Sequence, residues 1–173
     1  MKILLVSDTH GCTAELKSLL ARYADEVQFV CHLGDHAEDL LLFRHEYPNL
    51  QMIAVAGNCD YSPSLQHEIL LEFSACLDNP DAEKIRILLT HGHKQCVKRD
   101  LDRLAYYTVE KGAVACFYGH THFPVCAIHG GVFIMCPGSP VFPRGGSKAS
   151  YGIVEISPDG DIEGKIHLYE NEG

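Results

Sequence analysis

Lys2-Ile3-Leu4-Leu5-Val6-Ser7-Asp8-Thr9-His10 is the stretch whose reading decides the fold. Four apolar residues in a row, Ile3 to Val6, fit a short buried strand. Where that strand runs out, a carboxylate and an imidazole stand two residues apart. Residues i and i+2 of an extended chain share a side, so an extended reading lets Asp8 and His10 converge on one point. An acid and a neutral imidazole are what a divalent metal of intermediate softness accepts.

Four later blocks repeat the arrangement, an apolar run followed by a Gly or turn and then a ligand-type side chain. They are Gly34-Asp35, Gly57-Asn58, Thr90-His91-Gly92-His93 and Gly119-His120-Thr121-His122. The runs before them, 27–33, 52–56, 85–89 and 113–118, read as buried strands. Helical patterns lie between. Leu16, Leu19, Leu20 and Tyr23 recur at helical spacing with Thr13 as N-cap. Leu40, Phe43 and Tyr47 form a second stripe ended by Pro48. Leu101, Leu104, Ala105 and Thr108 form a third within 98–111, stopped by Gly112. The last third reads as meander, with strands over 124–129, 132–136, 151–156 and 162–169 joined by turns such as Gly130-Gly131 and Pro158-Asp159-Gly160. Residues 67–73 read as one more strand. The predicted fold is α/β, two sheets face to face with helices outside. The irregular stretch 137–147 reads as a surface connection or a lid near the site.

Composition bounds the function. At 173 residues, 46% apolar and 21% charged, the chain fits one domain spanning 1–173 with a sizeable core. No apolar run approaches the roughly 20 residues that span a bilayer, and Ile3 to Val6 is too short for a signal-peptide core, so a cytoplasmic protein is expected. A net charge of −9, with one short basic cluster at Lys94, Lys98 and Arg99, argues against extended nucleic-acid binding. A small anionic substrate stays compatible, because bound divalent ions supply local positive charge. The eight cysteines never form a C-x2-C pair and mostly sit in apolar runs; apart from Cys59 they read as buried free thiols acting as small hydrophobes.

Each block alone is weak, since a lone H-x-H is commonly a surface or core pair. Together, Asp8, His10, Asp35, Asn58, His91, His120 and His122 offer seven oxygen or nitrogen ligands. That exceeds one tetrahedral zinc and suits two ions sharing a carboxylate. His93 reads as a substrate contact or proton carrier, or else as a solvated residue beside the site, His36 as facing away, and Asp60 as orienting the Asn58 loop. His32, His45, His67, His129 and His167 read as structural or exposed.

The order D-x-H, G-D, G-N-C-D, H-G-H, G-H-T-H resembles that of calcineurin-like metallophosphoesterases, and the short length with Gly57-Asn58-Cys59-Asp60 resembles their small bacterial and archaeal phosphodiesterase branch. The resemblance implies a four-layer α-β-β-α sandwich of two mixed sheets, with two divalent metal ions at the strand ends. Manganese is the expected ion, with iron, nickel or zinc as alternatives. By position it implies Asp8, His10 and His122 on one ion, Asn58, His91 and His120 on the other, and Asp35 bridging. Asn58 and His93 are the catalytic candidates of this reading. The implied activity is hydrolysis of a small phosphodiester by metal-activated water or hydroxide, with a homo-oligomer possible. Cys59 departs from the phosphatase branch, where a His at this position protonates the leaving oxygen or steadies the substrate. Three alternatives accompany this reading: a phosphomonoesterase or nucleotide phosphatase, a non-catalytic scaffold like a eukaryotic retromer subunit, and a structural zinc protein, which the cysteine spacing disfavours.

Overall fold

The computed structural model of the protein describes residues 1–74 and 84–170. In chain order it has β1 (Lys2–Val6), α1 (Thr13–Tyr23), β2 (Phe29–His32), α2 (Glu38–Leu41), β3 (Gln51–Ala54), β4 (Glu68–Ser74), β5 (Lys84–Thr90), α3 (Asp102–Glu110), β6 (Ala115–Phe117), β7 (Val125–His129), β8 (Val132–Cys136), β9 (Ser150–Ile156) and β10 (Ile162–Leu168). One sheet has the order β10-β9-β1-β2-β3, the other β4-β5-β6-β8-β7. Both are mixed. β1, β2 and β3 run parallel in the first, and β5, β6 and β8 in the second, with antiparallel strands outside them.

Burial on both faces explains the unbroken apolar runs. Ile3 and Leu5 of β1 point between the sheets, where they meet Ile87, Leu89, Phe117 and Met135. Leu4 and Val6 point outward against Leu16, Leu20 and Tyr23 of α1 and Leu40 of α2. On the far side Leu88, Cys116 and Ile134 pack against Leu104 and Ala105 of α3. The result is four layers, α-β-β-α, and each fully buried Leu or Ile contributes about 1.5–3 kcal/mol.

Register sets the site. Val6 lies opposite His32, and His32 opposite Ala54, so the ends leading to Asp8, Asp35 and Asn58 are level. In the second sheet Leu89 lies opposite Phe117, which brings the ends leading to His91 and His120 level. The backbone stitches neighbouring ends together: Asp8 N donates to Gly34 O at 3.0 Å, His10 N to Asp35 O at 3.3 Å and Gly119 N to His91 O at 3.3 Å.

Several sequence expectations need correction. Thr13 is the first helical residue rather than the N-cap; Cys12 caps α1 and makes no side-chain cap bond. The second stripe is helical only over Glu38–Leu41, because the chain beyond it is held by turns. The third helix starts at Asp102, the residues before it being spent on turns after His91. Cys31, Cys116 and Cys136 are buried as expected, Cys12 and Cys96 are half-buried, and Cys126 is exposed near an edge of its sheet. Cys76 lies outside the described residues.

Candidate metal centre

The five blocks meet where the strand ends of the two sheets face each other. Ligand atoms of Asp8, His10, Asp35 and His122 lie within 4.8 Å of one another, and so do those of Asp35, His91 and His120. Asp35 belongs to both groups. Its Oδ2 is 3.7 Å from His10 Nε2 and its Oδ1 is 3.4 Å from His91 Nε2. Asn58 Oδ1 joins the second group, 3.2 Å from His91 Nε2, and His120 Nδ1 is also 3.2 Å from that nitrogen. In the first group His122 Nε2 is 3.2 Å from Asp8 Oδ1 and 3.4 Å from His10 Nε2.

The protonation pattern of these side chains fits cations. His91 Nδ1 lies 2.7 Å from Leu33 O, and His122 Nδ1 lies 2.7 Å from Phe142 O. A carbonyl only accepts, so both Nδ1 atoms carry the proton, and each neutral ring turns a bare Nε2 lone pair toward the centre. Asp8 Oδ2 accepts from Ser7 Oγ at 2.6 Å and from His120 N at 3.0 Å. Asp8 Oδ1 is buried and accepts no hydrogen bond. Lone pairs thus confront lone pairs at 3.2–3.7 Å. Two atoms about 2.1 Å from one ion, at an angle near 100°, stand roughly 3.2 Å apart, so the donor set suits a divalent ion at each group. Burial, with the charge of Lys98 nearby, pushes His120 down to about 4, which keeps its ring neutral.

The local backbone overturns the extended reading. Asp8 and His10 converge, but from left-handed backbone with φ of 57° and 48°. Asp35, His120 and His122 share it at 60°, 70° and 56°. Such conformations cost non-glycine residues of order 1–3 kcal/mol each and persist where surroundings over-determine them. Here the cross-strand hydrogen bonds do so. Two glycines permit the close approach. A Cβ on Gly119 would overlap Ser7 Oγ and lie 2.7 Å from Leu33 O, and a Cβ on Gly57 would overlap the carboxylate and amide of Asp35.

Around this ring, Asp60 accepts three backbone N–H groups, from Asp35 at 2.8 Å, Gly57 at 2.7 Å and Ala37 at 3.0 Å, and so ties the Asp35 turn to the Asn58 turn. Cys59 N donates to Asp35 Oδ1 at 2.9 Å, and Asn58 Nδ2 reaches Cys59 Sγ at 3.2 Å. Burial and the charge of Asp35 push the Cys59 thiol up. His93 is not a member of either group, but its ring centre is 5.4 Å from that of His91 and 6.0 Å from that of His120. His36, expected to face away, is exposed with its ring 6.0 Å from His10.

Two supports escaped the sequence reading. His32 is fully buried; its Nε2 lies 3.0 Å from Thr9 Oγ1, which donates to Asp39 Oδ2 at 3.0 Å, while Gly11 N donates to that same oxygen at 3.1 Å. This braces the turn carrying Asp8 and His10. Ser139 Oγ donates to Asp8 O at 2.9 Å and accepts from Phe142 N at 2.8 Å. The 137–147 stretch is therefore a brace behind His122. A histidine in an apolar strand and a serine in a Pro/Gly loop give no local signal of such roles.

Residues 1–159 match the calcineurin-like phosphoesterase superfamily domain. The chain is 32% identical over 174 residues to the probable metallophosphoesterase YsnB of Bacillus subtilis, covering 100% of this chain and 93% of that protein. It is 33% identical over 171 residues to the phosphodiesterase YfcE of Escherichia coli K12, covering 90% and 88%. Its fold also superposes on Vps29 of Entamoeba histolytica, solved with zinc, at a TM-score of 0.73 and 19% identity, covering 98% of this chain and 100% of that one.

Proposed function

Because the chain belongs to the calcineurin-like phosphoesterase superfamily, we propose that it is a metal-dependent phosphodiesterase acting on small phosphodiesters at a pair of divalent ions. The observation that carries this reading is the position of Asp35, whose two oxygens face two different groups of ligand-type side chains. On this reading Asp8, His10 and His122 hold one ion, Asn58, His91 and His120 hold the other, and Asp35 bridges them. When bound, such ions activate a water as nucleophile at neutral pH and stabilise charge on the phosphoryl oxygens. Manganese is the expected occupant; an oxygen and nitrogen set without thiolate also accepts iron, nickel or zinc.

The chain's own residues then favour particular esters. Burial, with His91 and Lys94 nearby, keeps His93 below the ordinary imidazole range, and the Cys59 thiol lies above its ordinary value. Neither is a ready proton source at pH 7. Esters whose leaving oxygen departs as a stabilised anion, aryl diesters among them, lose least from that lack. The fold likeness to Vps29 supports a scaffold as the second reading; ligand-competent side chains at all seven expected positions favour the enzyme.

The test assays the purified chain on bis(p-nitrophenyl) phosphate and p-nitrophenyl phosphate with added manganese, before and after chelation. The diester is expected to be the better substrate, with activity lost on chelation and restored by metal. Diester hydrolysis undiminished by thorough chelation overturns the reading.

A further inference from the structure

The basic cluster at Lys94, Lys98 and Arg99 contributes no ligand to the ion site and lies on the turn that follows His91 and His93. Beside it is a cavity of about 420 Å³. Its walls include His67 and Glu68 at the start of β4, Lys94 and Gln95 of that turn, and Arg103 and Tyr107 of α3. The cavity adjoins the ion site through one ring. His67 has its ring centre 6.3 Å from that of His93, and His93 in turn is 5.4 Å from His91.

The charge in the cavity is unbalanced. Glu68 is the acid of its walls, and it is engaged by Lys111 Nζ at 2.6 Å and Tyr107 OH at 2.7 Å. Among the described residues Lys94 and Arg103 have no ion-pair partner; Arg103 Nη1 reaches Cys96 Sγ at 3.3 Å. Gln95 is 9% exposed, and its Oε1 accepts no hydrogen bond among the described residues. In a chain of net charge −9, two unpaired cations on the wall of a concavity make a local positive field that attracts anions.

We propose that this cavity is the subsite for one ester substituent of the substrate, and that it selects substituents bearing an anionic group of their own, such as a second phosphate. Lys94 and Arg103 bind the anion. The inference rests on the phosphodiesterase reading and names its substrate class.

Two measurements test it separately from that reading. In the first, the metal-free full chain is titrated with inorganic pyrophosphate and followed by amide chemical shifts. Shifts centred on Lys94, Gln95 and Arg103 are expected, and their loss in the Lys94→Gln/Arg103→Gln double variant. No shift at these residues, or the same shifts in the variant, overturns the proposal. Both side chains are exposed, so the variant is expected to keep its fold, checked by its melting curve. In the second, the metal-loaded enzyme is compared on an aryl diester of a nucleoside bisphosphate and on bis(p-nitrophenyl) phosphate. The double variant is expected to lose tenfold or more in the preference for the charged diester, through KM. Equal loss on both substrates overturns the proposal. Pyrophosphate shifts without hydrolysis of any diester would overturn the phosphodiesterase reading while keeping the cavity as an anion site.

Discussion

On the proposed reading, the residue at Cys59 influences which esters suit the site. Its amide is anchored to Asp35 Oδ1, so the side chain can change while the turn stays in place. Cys59→His would put an imidazole with an ordinary pKa of about 6.5 beside the ions. The ratio of monoester to diester turnover is expected to rise about tenfold or more, within the 10²–10⁴-fold that general acids supply; parallel kinetics on the two p-nitrophenyl esters check it, and an unchanged ratio counts against the leaving-group argument. The residues that gather at the site were legible because chemistry writes them plainly, as Asp, Asn and His after apolar runs. Their backbone was not. The left-handed φ of Asp8 is imposed by a bond from its amide to Gly34 O, a contact that local propensity does not encode.

At the level of elements, the runs at β1, β2, β5 and β8 were readable from apolar content alone, because burial on two faces leaves an unbroken signal. Helix ends were less so. α1 starts without a side-chain cap, and the stretch before α3 is folded into turns that serve His91. The loop after β8 is the clearest gap between pattern and role. It contacts the site through Ser139, whose hydroxyl joins the Asp8 carbonyl to the Phe142 amide, while Phe142 O holds His122. Groups that orient metal ligands typically influence affinity 10–100-fold. Ser139→Ala is therefore expected to weaken metal binding by about tenfold with the fold retained. Metal titration followed by calorimetry, alongside a thermal melt, checks this; a variant with unaltered affinity would show the loop to be a plain connection.

For the whole molecule, the turns at the site hold bare lone pairs together, and on the proposed reading that cost falls when cations bind. Ligand at 100 times its Kd stabilises by about 2.7 kcal/mol per site, which raises Tm by roughly 5–10 °C in a chain of this size. A melt with and without manganese is expected to show that rise, and Asp35→Asn is expected to abolish most of it. Acid works the other way. Burial pushes His32 down to about 4 from its ordinary 6.5, so the unfolded chain takes up a proton that the folded chain refuses. Stability on this account rises with pH through that window and falls as acid is added, by up to about 1.4 kcal/mol per pH unit for this one ring. Urea unfolding of His32→Gln across the window is expected to give a shallower slope than the parent. The ring of ligand-type side chains also has a mechanical consequence. Asp8, His10 and Asp35 follow strands of one sheet, and His91, His120 and His122 follow strands of the other. Cations at that ring would add a clasp between the two halves of the sandwich, beside the bonds that already join them there, His91 Nδ1 to Leu33 O and His120 N to Asp8 Oδ2.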